Sequence, residues 1–258
     1  MLKKEFTYFC TALMFFTRIP IPFELEYSEE IMNKSQKYYS AVGLVVGILN
    51  ALVFGIGSYL FTPNIGIVLS LIVSVLITGG FHEDGFTDVC DSFGGGYGKE
   101  KIMTIMKDSR IGAYGVLGMI LLLLLKFTCL QALVDIDIAT IGSAIIIAHS
   151  SSRFLSGLMI HSHDYVTDID VSKSKPLANK PIPLTATLWG LCLAVIPLVL
   201  LMPLKFLWIL PIGYLGKWYL GWYFKKHIGG YTGDCLGTVQ QVCEVLIYLG
   251  FILIWKFT

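Results

Sequence analysis

Two unbroken apolar runs, residues 115–125 (GVLGMILLLLL) and 245–255 (VLIYLGFILIW), set the limits on what this chain can become. Runs of that length and density have no water-facing role, whereas a bilayer core of about 30 Å takes about 20 helical residues to cross. Composition agrees. Of 258 residues, 55% are hydrophobic and only 14% charged, against roughly 25% charged in soluble domains. That is too little charge to cover a water-facing surface, so a soluble globular enzyme is excluded. The expectation is an all-α protein, a polytopic membrane helical bundle forming one catalytic domain over residues 1–258. A net charge of +1 gives no electrostatic case for nucleic acid. The six cysteines show no zinc-ligand spacing and mostly lie in apolar segments, which argues against a disulfide framework or a metal knuckle.

Seven stretches approach spanning length: 39–61, 65–80, 113–134, 138–160, 186–203, 206–224 and 239–256, with a range of six to eight helices. The second is short and ends in glycine, which predicts a tilted or broken span, or one completed by the next loop. Residues 6–16 (FTYFCTALMFF) are too short to cross. With Lys3 and Lys4 ahead of them they read like the start of a signal peptide, but only Thr17-Arg18-Ile19-Pro20 follows, with no small-residue cleavage site. An uncleaved interfacial or re-entrant helix is the expectation. Placing the N-terminus in the cytoplasm puts 14 of the 19 Lys and Arg residues on inside loops, as the positive-inside rule demands. The outside connections near 62–64, 135–137 and 204–205 are then too short to build a site. The chemistry is expected on the cytoplasmic face of a cell inner membrane.

The most informative segment is residues 79–96, GGFHEDGFTDVCDSFGGG. As a helix it would carry Asp84, Asp88 and Asp91 on one face at i, i+4 and i+7, with Glu83 turned toward a neighbour. Carboxylates crowded this way repel unless a cation sits between them. Oxygen-only ligands suit a hard ion, Mg²⁺ foremost, which takes one or two carboxylates and fills its shell with water and phosphate oxygens. Asp84 and Asp88 are the first choice for metal ligands and Asp91 the third. Glycines 85, 94, 95, 96 and 98 let backbone N–H groups approach an anion, and Lys107-Asp108-Ser109-Arg110 supplies two cations before the next apolar helix. Acids for a metal, glycines for a phosphate and an arginine to clamp it are the parts of phosphoryl transfer. A second segment, Gly229-Gly230-Tyr231-Thr232-Gly233-Asp234, repeats the spacing of 79–84 and leads toward Glu244, about three turns deeper on the last helix.

Taken in order, Phe16-Thr17-Arg18-Ile19-Pro20, the segment 79–88, Met106-Lys107-Asp108-Ser109-Arg110-Ile111-Gly112 and Gly233-Asp234-Cys235-Leu236-Gly237 resemble the cobalamin synthase family. These are membrane-embedded adenosylcobinamide-GDP ribazoletransferases. The resemblance implies substrates, a cofactor and site residues. The substrates would be adenosylcobinamide-GDP and α-ribazole or its 5′-phosphate, with GMP released, adenosylcobalamin or its phosphate formed, and Mg²⁺ required. Carried onto this chain, the acidic box is Glu83, Asp84, Asp88 and Asp91, the second box is Lys107, Asp108 and Arg110, and the late box contributes Asp234. Glu83, an unpaired acid of the cluster, Asp108 and Asp234 all remain open as the general base. Besides substrates and lipid bilayer, the partners leave room for a homo-oligomer or a complex with other enzymes of nucleotide-loop assembly.

Other features carry weaker readings. His82 offers a phosphate contact or a base, although beside a glycine pair a hydrogen-bonded helix end is the commoner role. His149 and Arg153 share a helix face, which points either to an inward polar pocket or, with Ser150, Ser151 and Ser152, to a polar clasp between helices. Lys173, Lys175 and Lys180 either meet nucleotide phosphates or enforce topology. Trp208, Trp218, Tyr219, Trp222 and Tyr223 read as interfacial anchors. Two rivals stand beside the main reading. A CDP-alcohol phosphotransferase would need Asp-Gly-x-x-Ala-Arg, whereas Phe86-Thr87-Asp88 follows Gly85. A cation-coupled secondary transporter would place charges at mid-membrane on several helices, whereas these acids cluster toward one edge.

Overall fold

The computed structural model describes residues 2–26, 28–166 and 183–258; Lys173, Lys175 and Lys180 lie outside the described residues. Among the described residues ten α-helices follow one another: α1 (Leu2–Phe16), α2 (Glu29–Ser35), α3 (Tyr39–Leu60), α4 (Pro63–Thr78), α5 (Phe81–Gly95), α6 (Lys99–Met106), α7 (Ala113–Ser162), α8 (Leu184–Leu201), α9 (Ile209–Ile228) and α10 (Gly233–Phe257). Among the described residues, the β-structure amounts to one isolated bridge, Tyr165 to Tyr231.

Local chemistry sets the breaks. Thr62 caps α4 by accepting a hydrogen bond from Ile65 N, and Pro63 supplies a pre-set φ at the first position. Gly79 ends α4 with φ +68°, a conformation that costs a side-chain-bearing residue strain. Gly80 continues at φ +71°, and α5 then departs at 92° from α4. The expected second span is therefore a broken element. Helix α7 loses helical geometry at Asp137 (φ −163°, ψ 105°). There the Asp137 carboxylate accepts from Ala139 N at 3.1 Å and from the Thr140 hydroxyl. That break falls where the sequence placed an outside turn.

Among the described residues, four segments are long and apolar enough to cross a bilayer: Glu29–Leu60, α7, α8 and α10, with a fifth if the bent α4–α5 pair is one span. This is a membrane protein. The expected count of seven is not reached, for two reasons. Helix α7 counts once although it covers two of the expected stretches, and α9 carries Lys217, Lys225 and Lys226 within 20 residues. Helices α3, α7 and α10 make the centre, where Val46, Ile145, Ala148, Val239, Ile247 and Phe251 are buried. Helix α1 belongs to the packed body: Cys10, Ala12, Leu13 and Phe16 are buried. Its end is held to α5 by rings, Phe15 to Phe81 at 5.6 Å and Phe16 stacked on His82 at 6.0 Å.

Candidate active site

Two glycine turns place the acids. The Gly79-Gly80 turn starts α5, and Gly229 (φ +90°) ends α9 shortly before Thr232 caps α10 through Cys235 N. Each new helix carries aspartate in its first turn, Asp84 on α5 and Asp234 on α10. The repeated spacing seen in the sequence thus makes the same turn-and-restart twice. The two restarted helices then cross closely. A Cβ at Gly85 would stand 2.9 Å from Asp234 Cα, and one at Gly237 would stand 2.9 Å from the His82 carbonyl oxygen. Thr238 donates across the crossing to the Gly85 carbonyl at 3.3 Å. Only glycines permit this approach, and it sets Asp234 beside the stretch that carries Asp84 and Asp88.

The charge of this group is unbalanced. Helix α5 leaves the end of α4 as a segment rich in acids. On it Asp88 stands half-buried within the field of Asp234, Asp84 and Asp91. Like charges held together in this way favour a proton or a cation. Among the described residues, no three His, Cys, Asp or Glu side chains converge as a ready metal cage. Two carboxylates one turn apart, Asp84 exposed and Asp88 half-buried, still fit an ion that takes one or two protein carboxylates.

Asp91 departs from its expected role. Its Oδ2 accepts from Gly112 N at 2.7 Å and its Oδ1 from Gly115 N at 2.8 Å. Both oxygens therefore cap the start of α7, whose own N-cap, Gly112, has no side chain. Asp91, expected as the third metal ligand, thus spends a hydrogen bond of each oxygen on capping α7. Asp91→Ala is expected to lower stability by about 1–2 kcal/mol while activity per folded molecule stays near wild type. Thermal unfolding in detergent together with specific activity checks this, and a selective loss of activity would restore the ligand reading.

The second box also differs from expectation. Arg110 forks onto Asp108, with Nη2 to Oδ2 at 2.6 Å and Nε to Oδ1 at 3.0 Å. The pairing holds the Asp108 carboxyl down to about 2, which makes it a poor base for a hydroxyl proton. Both residues lie on the exposed surface, with Lys107 at the end of α6.

Glu83 is buried, and its Oε1 accepts from Gln241 Nε2 at 3.0 Å while its Oε2 has no hydrogen-bond partner. From Gln241 a chain of contacts runs into the bundle: to Gln240 Oε1 at 2.9 Å, then from Gln240 Nε2 to Ser152 Oγ at 3.1 Å and to Glu244 Oε2 at 2.8 Å. Glu244 in turn pairs with Lys126 at 2.9 Å. His149 lies 3.8 Å from Glu244 and contacts Asn50, while Arg153 donates to the His149 carbonyl at 3.0 Å. Both expectations for that face are met, since Ser150 also clasps Ser40 O and Leu193 O. Lys126, expected within a helix, and Glu244, expected deeper than Asp234, are buried between α7 and α10, satisfying each other. Sequence reading placed both residues on apolar helices and did not pair them. His82 is turned into the aromatic cluster rather than toward the aspartates.

A cleft of about 700 Å³ opens beside these acids, with Glu83, Asp84 and Thr87 on one side and Phe15, Arg18, Gly79, Met119 and Leu123 among its other lining residues. Arg18 was read from the sequence only as part of a motif and an inside loop. Its position on this cleft emerges from the fold.

No solved structure matches this chain. Sequence relatives do. A protein of Shewanella amazonensis named adenosylcobinamide-GDP ribazoletransferase is 41% identical over 254 residues, covering 98% of each chain. Proteins of the same name from Shewanella piezotolerans and Vibrio parahaemolyticus are 42% and 39% identical, covering 96% and 99% of this chain and 95% of theirs. The Cobalamin-5-phosphate synthase family model matches residues 8–252. That match takes in α5, its crossing with α10 and the cleft that α5 lines together with α7 and the ends of α1 and α4, and with it the chain belongs to the Cobalamin-5-phosphate synthase family.

Proposed function

We infer that this chain is an adenosylcobinamide-GDP ribazoletransferase, the last assembly step of cobalamin synthesis. It would work in a cell inner membrane with its site open to the cytoplasm. Family membership supports the reaction. The observation that carries the site is the α5–α10 crossing, which gathers Asp84, Asp88 and Asp234, with Asp84 lining a cleft large enough for a ligand.

In the proposed reaction a hydroxyl oxygen of α-ribazole, or of its 5′-phosphate, bonds to the cobinamide-linked phosphorus of the diphosphate. The bond from that phosphorus to the bridging oxygen breaks, and GMP leaves with that oxygen. Mg²⁺, held by Asp84 and Asp88, would neutralise charge on the diphosphate oxygens. Glu83, with one oxygen fixed by Gln241 and the other unpartnered, is placed to accept the hydroxyl proton. Asp234 is the second candidate for that proton, and its position against Gly85 keeps the acids crowded. Lys107 remains available to the departing GMP, whereas Arg110 would first have to leave Asp108.

The test uses purified protein in detergent with adenosylcobinamide-GDP, α-ribazole and Mg²⁺. GMP and adenosylcobalamin are expected in equal amounts, and both should cease with EDTA and return with excess Mg²⁺. Release of CMP from a CDP-alcohol, or cation-driven uptake without GMP, would overturn the assignment. Activity unaffected by EDTA would remove the metal while leaving the transferase.

A further inference from the structure

We propose that Arg18 is the phosphate anchor of this site, gripping the diphosphate of the nucleotide-activated donor from the wall of the cleft opposite Asp84. The proposal rests on the transferase reading above and deepens it.

Arg18 is placed by backbone rather than by its side chain. Its N–H donates to the Ile77 carbonyl at 2.7 Å, satisfying one of the free carbonyls at the end of α4. The side chain then lies across Gly79, where a Cβ would collide with Nε. Among the described residues the guanidinium has no salt-bridge or hydrogen-bond partner, and it is exposed to the cleft. Arg110 presents the contrast, since Asp108 already occupies its fork.

The surroundings specify an anion. Arg18 is the one basic residue among the lining residues of the cleft, which also include Gly79, Gly80, Phe81, Glu83 and Asp84. Gly80, the N-cap of α5, also lines the cleft and offers no side chain to the first-turn amides, which leaves them uncapped by a side chain. Guanidinium and helix N-terminus together make a bidentate phosphate seat. Asp84, which also lines the cleft, would repel a phosphate directly and so favours one that arrives with a divalent ion. A diphosphate satisfies both demands, with one phosphate toward Arg18 and α5 and the other toward Asp84. The corrin of the donor is too large for the cleft and would remain outside it. A lipid headgroup offers related phosphate chemistry, so the experiment separates the two.

Arg18→Gln and Arg18→Lys are purified in nanodiscs of neutral lipid and in nanodiscs containing anionic lipid. In both membranes KM for adenosylcobinamide-GDP should rise about tenfold to a hundredfold in Arg18→Gln, with KM for α-ribazole within twofold and partial recovery in Arg18→Lys. Equilibrium binding of adenosylcobinamide-GDP in EDTA should weaken by a similar factor in Arg18→Gln. Asp84→Asn, which removes the repulsion, should tighten that metal-free binding while Arg18→Gln weakens it. Unchanged donor KM and binding would overturn the proposal, as would a rise confined to α-ribazole. A defect seen only as lost stability in anionic lipid would assign Arg18 to the headgroups and also overturn it. If wild-type protein neither binds nor turns over the donor, the transferase reading fails instead, and the two failures are told apart.

Discussion

Asp88→Asn protein is expected to fold as well as wild type or better, and to transfer about a thousandfold more slowly. The two halves of that result come from one cause. In the folded chain Asp88 is half-buried within the field of Asp84 and Asp234. Replacing one carboxylate with an isosteric amide relieves the repulsion, so unfolding in detergent should move to the same or a higher temperature. The same change removes half of the proposed Mg²⁺ seat. An ion that neutralises charge in the transition state is worth several kcal/mol, and a loss of about 4 kcal/mol is about a thousandfold in rate. Asp84→Asn should behave alike, with a smaller gain in stability because Asp84 is exposed. Initial rates of GMP release, measured alongside thermal unfolding, decide the matter. Most of the activity surviving in both variants would remove the carboxylates from the chemistry. A parallel loss of stability and activity would make them structural, as Asp91 is.

The contrast between Asp88 and Asp91 shows where sequence reading reaches its limit. Helical spacing puts Asp84, Asp88 and Asp91 on one face of α5, and the fold keeps that register. What spacing cannot convey is the partner of that face. The free N–H groups of Gly112 and Gly115 arrive from a segment more than 20 residues away and occupy both Asp91 oxygens. Apolar run lengths placed α3, α8 and the body of α10, because burial in lipid is a local, one-dimensional property of sequence. The break at Asp137 was legible for the same reason. The bend of 92° between α4 and α5 was only half legible, as two glycines mark a stop without giving a direction. Arg18 was missed because its place on the cleft depends on a bond to Ile77 and on the aromatic contacts of α1 with α5.

The ion pair in the bundle core gives the largest expected effect on stability. Lys126 Nζ and Glu244 Oε1 meet at 2.9 Å, with side chains 3% and 2% exposed. A Glu244→Gln protein leaves the Lys126 ammonium buried with no other salt-bridge partner among the described residues, and stranding one member of a buried pair costs about 3–5 kcal/mol. Lys126→Met should cost less. The carboxylate it strands keeps Gln240 Nε2 at 2.8 Å, the Tyr248 hydroxyl at 3.4 Å and His149 at 3.8 Å. The double variant Lys126→Met, Glu244→Gln removes both charges, so it should be more stable than Glu244→Gln alone, and the effects should be strongly non-additive. Activity gives a second readout. Glu244 holds Gln240, which holds Gln241, which fixes Glu83 at the acidic crossing. The double variant should therefore regain stability before it regains rate, with kcat lowered and donor KM near wild type. Unfolding curves for the three variants in one detergent, set beside their kcat values, test the chain of contacts at both ends. Additive losses would mean that Lys126 and Glu244 are each satisfied separately. Full activity in the stable double variant would mean that Glu83 is held without them.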